Sequence, residues 1–269
     1  METSIIARMQ SFKEWFADYS DNFIIIGGAA CSLIMEAENV DFRLTKDIDV
    51  VLLVEALNTS FGRRLWDYVL EAGYEHRQAS TGEPQFYRFR NPKSSRYPEM
   101  IELFSRRIDG LILPESASIT PIPIGEDISS LSAILLNDAY YHFLRDGIRK
   151  MDGLPILDEL HLIPFKAKAW LELTESRNKG NRVDSADIRK HRRDIYRLCD
   201  ILAPGFKLKL PDTVELDLER YIAAADESLG NLSLKDRNAE QSRLEKLKEL
   251  FGLYDGKSSG IQGGVHDNP

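Results

Sequence analysis

Three carboxylates on two short apolar segments are the groups best placed to do chemistry. In "KDIDVVLLV", Asp47 and Asp49 stand two residues apart, and in "EMIELFS" Glu102 sits between Ile101 and Leu103. Both segments read as strands, dense in Val, Ile, Leu and Phe. A strand turns residues i and i+2 to one face, so Asp47 and Asp49 project together while Ile48 and Val50 face the other way. Two carboxylates side by side repel each other unless something positive stands between them. A divalent cation is the simplest such partner, and oxygen ligands without histidine favour Mg²⁺ over zinc. Glu102 on a neighbouring strand would complete a two-metal clamp of the kind used in phosphoryl-type transfer.

Upstream, "NFIIIGGAACSLIMEA" runs an apolar strand into Gly27-Gly28 and then into a helix. Backbone N–H groups exposed at such a turn can hold phosphate oxygens, assisted by the helix N-terminus. Each feature also has a plainer reading. Acids at strand ends are common on surfaces, and a glycine pair can serve only a tight turn or close helix–sheet contact. The GxGxxG and GxxxxGK[ST] patterns are both absent.

The elements that must position these residues can be read along the chain. Residues 4–19 form an amphipathic helix with Ile5, Ile6, Met9, Phe12, Trp15 and Phe16 on one side. The strand before Gly27, a helix over "AACSLIMEA" and the "DIDVVLLV" strand follow. "LNTSFGRRLWDYVLEAGY" is a helix with Leu65, Val69 and Leu70 inward, ending near Gly73. "QFYRFRN" and "EMIELFS" are strands around a proline-bounded loop. "GLILP" is a further strand candidate, and "ITPIPIG" is extended because its prolines forbid helix. From about Ser130 the reading is helix throughout, over "LSAILLNDAYYHFLRDGI", "LDELHLIPFKAKAWLELTESR", "SADIRKHRRDIYRLCDIL" and "LDLERYIAAADESL". The fold class is therefore α/β (α+β): a mixed sheet flanked by helices over residues 1–127, a helical domain over 128–254 and a disordered Gly/Ser-rich tail over 255–269.

Composition bounds the setting. The 269 residues are 43% hydrophobic and 29% charged, ordinary for a globular protein. No apolar run approaches the roughly 20 residues that span a bilayer, so no membrane partner is expected. Cys31 and Cys199 lie far apart with no paired spacing, which fits a reducing, cytoplasmic setting. The formal net charge of -8 argues against a general nucleic-acid coat, yet residues 177–197 carry eight Lys/Arg against three Asp.

The ordered pieces "IIIGGAA", "RLTKDIDVVL" and "MIELF" resemble the nucleotidyltransferase fold of the polymerase-β superfamily. By that resemblance Gly27, Gly28 and Thr45, with Lys46 beside it, contact nucleotide phosphates. Asp47 and Asp49 hold the metals, and Glu102 helps to hold one of them and orients or deprotonates the acceptor hydroxyl. The implied cofactor is Mg²⁺, two ions, with an NTP as substrate.

The back half narrows the likeness. "LIPFKAKAWLELTESR", with Lys166, Ala169 and Arg177, leads to the acid-led helix "VDSADIRKHRRDIYRL". This order is similar to the AbiEii/AbiGii toxin family, nucleotidyltransferase-like proteins of toxin–antitoxin and phage-defence systems. The resemblance implies that Lys166 contacts the triphosphate, with Lys168 in reserve, and that Asp187 on the next helix belongs to the same site; Asp184 and Asp194 are the other candidate acids. Lys166 and Lys168 are about 200° apart on a helix, so at most one faces a site. Ser185 is the expected N-cap. Arg189, Lys190, His191, Arg192 and Arg193 are expected near the cleft, two or three of them facing it, with His191 read as a surface or hydrogen-bonding residue rather than a base. Arg88 and Arg90 share a strand face that lines the cleft or meets solvent.

The activity implied is NMP transfer from an NTP to a hydroxyl, on RNA or a tRNA 3′ end by analogy, with an antitoxin protein as a further partner. Transfer to a small molecule or a protein, and an inactive module that binds a nucleotide or partner, are the alternatives.

Overall fold

The computed structural model describes residues 5–253 except 44, 54, 55, 57, 76–87, 105–133, 136, 204, 206 and 232. The expected strands at "GLILP" and "ITPIPIG", the domain boundary at 127/128 and the tail lie outside the described residues.

The architecture is mixed α/β, as its sequence pattern implies. Helix α1 (Ile5–Trp15) leads into β1 (Phe23–Ile26), α2 (Gly27–Ala37), β2 (Asp47–Leu52) and α3 (Thr59–Ala72). Strands β3 (Arg88–Arg90) and β4 (Met100–Phe104) follow, then α4 (Asp138–Asp146), β5 (Ile148–Met151) and β6 (Leu154–Leu157). Four helices close the described chain: α5 (Glu159–Asn178), α6 (Ser185–Ile201), α7 (Asp212–Glu227) and α8 (Leu234–Phe251).

The six strands form one sheet in the order β3-β4-β2-β1-β6-β5. Central β2 pairs antiparallel with β1 and parallel with β4, in a register that sets Asp49 opposite Glu102. All four residues of β1 are buried, whereas in β2 Asp47 and Asp49 are half-buried and alternate with buried Ile48 and Val50. That period of two is the alternation expected of the acidic strand.

Strands β5 and β6 correct the reading of uninterrupted helix after Ser130. They form a hairpin whose turn residues, Asp152 (φ 47°) and Gly153 (φ 77°), both have positive φ. Asp-Gly is the residue pair that a type I′ hairpin demands, so "KMDGLPIL" carried a turn signal that the surrounding helical periodicity masked. Through β6, which runs parallel to β1, the back half of the chain extends the same sheet. A single hydrophobic cluster accordingly runs from Ile24 and Ile48 through Ile156 and Ile163 to Leu198 and Leu247.

Smaller corrections are local. Helix α1 stops at Trp15 and a 3₁₀ turn covers Ala17–Tyr19. Leu70 is 55% exposed, because it points about 100° away from buried Val69. Asp184, not Ser185, caps α6, its carboxylate accepting from the Ala186 amide. Both cysteines are free and buried. Among the described residues no helix is long and apolar enough to cross a membrane.

Candidate functional site

A cavity of about 350 Å³ opens between the carboxyl-bearing end of the sheet and the helices α5 and α6. Its floor is built by β1, β2 and β4 and carries Asp47, Asp49 and Glu102. Gly27 and Gly28, the first residues of α2, form one rim, with Arg43 and Thr45 beside them. The opposite wall belongs to α5 and α6: apolar Leu162, Phe165 and Ala169 flank Lys166, and Lys190 and His191 stand at its polar edge. Positions 162, 165, 166 and 169 follow the i, i+3, i+4, i+7 rule, so one face of α5 supplies that wall.

The two glycines are needed for different reasons. Gly27 has φ +67°, and a Cβ there would meet Asp49 Oδ2 at 1.9 Å. Any side chain at Gly27 would thus displace an acid of the floor. A Cβ on Gly28 would come within 3.0 Å of the Arg43 guanidinium and 3.1 Å of Thr45 Oγ1, which leaves the α2 amides close to both. The N-cap of α2 is Ile26, without a side-chain cap. Among the described residues the first-turn N–H groups therefore have no intrahelical or side-chain acceptor, and they favour an anion.

The floor is electrostatically incomplete. Burial, then the neighbouring Glu102 carboxylate, push the Asp49 carboxyl up to about 7, and Asp49 and Glu102 share a hydrogen bond. Burial with Glu102 and Glu99 also raises Asp47 above the usual carboxylate range. Glu102 is engaged from the next strand by Arg88, whose Nε donates to its Oε1 at 2.5 Å, and Lys46 reaches Glu99 at 3.4 Å. Among the described residues no three His, Cys, Asp or Glu converge at metal-ligand spacing. The donor chemistry of Asp47 and Asp49 nevertheless fits a hard divalent ion: two half-buried oxygen ligands, both raised by burial and by the Glu102 carboxylate, at the open floor of a cavity. Glu102 would join them only by leaving Arg88.

The opposite wall is electrostatically complete. Lys166, 4% exposed, donates to Asp194 Oδ2 at 2.8 Å, and Arg43 clasps the same carboxylate through Nε at 3.0 Å and a terminal nitrogen at 2.9 Å. The other terminal nitrogen of Arg43 donates to Thr45 Oγ1 at 3.1 Å. Burial opposes ionisation of Asp194, but Lys166 and Arg43 outweigh it and hold the carboxyl down at about 2. Two cations against one anion leave this wall with a net positive charge facing the carboxylates.

The expected site residues divide accordingly. Gly27, Gly28, Thr45, Lys46, Asp47, Asp49, Glu102 and Lys166 all line the cavity. Lys168 does not: it points to the far side of α5 and pairs with Asp217 at 3.0 Å and Glu172 at 3.8 Å. Asp187 lies at the exposed start of α6, near Lys190 at 3.8 Å, and Arg189 is exposed beside it. Asp187 and Asp194 share a helix face, but two turns, about 10 Å of rise, separate them; the acid that meets Lys166 is Asp194. Arg43 was not singled out from the sequence, although it shares the odd-numbered register of Thr45, Asp47 and Asp49. Asp194 stood among three candidates and was recognisable as the one acid within the apolar stripe of Ile188, Ile195, Leu198 and Cys199.

Compared with known proteins, the chain matches no family model, no curated protein and no solved structure.

Proposed function

We propose that the protein is a metal-dependent nucleotidyltransferase that moves a nucleoside monophosphate from an NTP to a hydroxyl acceptor and releases pyrophosphate. The observation that carries this reading is the opposition of two walls across one cavity of nucleotide-compatible size. The carboxylates Asp47, Asp49 and Glu102 suit a cation, while Lys166, Lys190, Arg43 and the uncapped start of α2 suit a polyphosphate. Asp47 and Asp49 would hold Mg²⁺, joined by Glu102. When bound, the ion would offset charge on the reacting phosphate and on the oxygens around it. Lys166, fixed by Asp194, presents a charge that does not move during the reaction. Glu102, exchanging Arg88 for the site, would orient the acceptor hydroxyl.

RNA is the acceptor class we favour. On α6, Arg189, Arg193 and Arg197 recur at i, i+4 and i+8, all exposed, and none has an ion pair with a described residue. On a chain of net charge -8, an unpaired arginine row beside the cavity helix suits a phosphodiester backbone. The resemblance in the sequence adds the role of a toxin in a toxin–antitoxin or phage-defence system, acting in the cytoplasm on tRNA and restrained by an antitoxin protein.

The test incubates the protein with Mg²⁺, total cellular RNA and each α-labelled NTP in turn, with Asp47→Ala alongside. Label entering RNA and lost in the variant supports the proposal. Label appearing on the protein or in small molecules keeps the chemistry and replaces the acceptor. Nucleotide binding without transfer to any acceptor supports a binding module instead.

A further inference from the structure

His191 is the one cavity-lining side chain with a buried polar atom that has no partner among the described residues. Its Nδ1 is buried and makes no hydrogen bond. The ring also lines the cavity, so Nε2 is the nitrogen open to it. The groups around it are unequal. Burial, then Lys166 on α5, Lys190 on α6 and Arg43 before β2 push the imidazole down to about 3, against the single opposing charge of Asp194. The ring is therefore neutral at physiological pH. A neutral imidazole carries one proton, and it can sit on either nitrogen. On Nδ1 it would be a buried donor facing nothing, the costlier of the two defects. On Nε2 it faces the cavity.

Building on the proposed function, we infer that His191 is a neutral hydrogen-bond donor to a phosphate oxygen of the bound triphosphate, through Nε2–H, and that it serves in binding rather than as a base. Lys190 and Lys166, which flank it, already make this edge of the cavity the place for an anion, and the apolar wall of Leu162, Phe165 and Ala169 offers no acceptor for the N–H. A fourth cation here would repel the other three, whereas a neutral donor adds a directed contact without that penalty.

Calorimetric titration of the full-length protein with Mg²⁺ and inorganic tripolyphosphate, each of the four NTPs, or adenosine tests this. His191→Leu is expected to weaken tripolyphosphate and NTP binding alike by about 10-fold, or 1.4 kcal/mol. His191→Gln, which keeps an N–H donor, should recover most of it, and adenosine should bind both variants as it binds the unsubstituted chain. ¹⁵N spectra of the unsubstituted chain should show a neutral ring protonated at Nε2 from pH 5.5 to 8. Unchanged tripolyphosphate affinity in a well-folded His191→Leu overturns the inference. So does a Gln variant no better than Leu at equal melting temperature, or an imidazolium signal at pH 7. If the unsubstituted chain binds no triphosphate at all, the nucleotide reading itself fails, an outcome distinct from failure of the His191 contact.

Discussion

Asp49, half-buried on the cavity floor, and Asp194, buried behind Lys166 of the opposite wall, differ in almost every electrostatic respect. Asp194 is 1% exposed and saturated: Lys166 and Arg43 bind it from two directions, and its carboxyl is held at about 2. Asp49 meets another carboxylate, Glu102, across the strand pair and is pushed up to about 7. A satisfied buried charge holds elements together. A buried charge left without a counterion is retained at a cost in stability, and that cost is explained when a ligand brings the missing charge. Asp194 ties α5, α6 and the segment before β2 into one wall; Asp49 waits for a cation.

The largest test of this contrast removes the saturated acid. Asp194→Ala strands buried Lys166 and half-buried Arg43 and should cost about 3–5 kcal/mol in urea unfolding. A loss below about 1 kcal/mol would mean that Lys166 and Arg43 find other partners and that the contrast is false. The pH dependence should follow. Because the folded pKa of Asp194 lies below its unfolded value near 3.8, its contribution is complete above that value and fades as pH falls toward about 2.

Asp49→Asn should act with the opposite sign. In the metal-free chain the folded pKa lies above the unfolded one, so ionisation of Asp49 weakens folding as pH rises from about 4 to about 7, and the deficit persists above that. The Asn variant should therefore equal the parent near pH 4 and exceed it by about 1 kcal/mol or more at pH 8, while losing transfer activity. Urea midpoints at the two pH values decide it; a variant less stable than the parent at pH 8 would break the comparison.

Lys168 and Asp217 provide a sharper control, being the same kind of pair on the other side of α5. Tyr140 also donates to Asp217, at 3.2 Å. Lys168→Met should cost about 1 kcal/mol of stability and leave triphosphate affinity unchanged, whereas Lys166→Met should abolish it. Equal effects of the two on nucleotide binding would erase the distinction between cavity wall and structural weld. The smallest effect on folding is expected from Arg189, Arg193 and Arg197 changed together to Glu. Unfolding free energy should change by less than about 0.5 kcal/mol, nucleotide binding should hold, and affinity for RNA should fall with a shallower salt dependence.

Much of this site could be read before any coordinates. The floor was legible because its chemistry is local: Asp47 and Asp49 share a strand face by the period of two, and Gly27-Gly28 marks a strand-to-helix turn whatever lies around it. Glu102 was legible from its place in an apolar strand, but its engagement with Arg88 was not, since that depends on strands β3 and β4 pairing in one register. The wall was harder. Lys166 and Asp194 are 28 residues apart on two helices, and only the packing of α5 on α6 brings them together. A search for an acid at the helix start led to Asp187, two turns from the cavity. Likewise the β5–β6 hairpin was hidden because four-residue strands cannot outweigh the helical periodicity on both sides, although Asp152-Gly153 announced the turn.

The central claim is that the floor receives a cation and the wall receives a polyphosphate. The most direct measurement is a crystal of the full chain grown with Mn²⁺ and a non-hydrolysable NTP, with the metal located by its anomalous signal. The account predicts Mn²⁺ on Asp47 and Asp49 and phosphate oxygens on the Gly28 amide, Lys166 and Lys190. Crystals with the analogue bound elsewhere, or with no metal at the two aspartates while the nucleotide occupies the cavity, would contradict it.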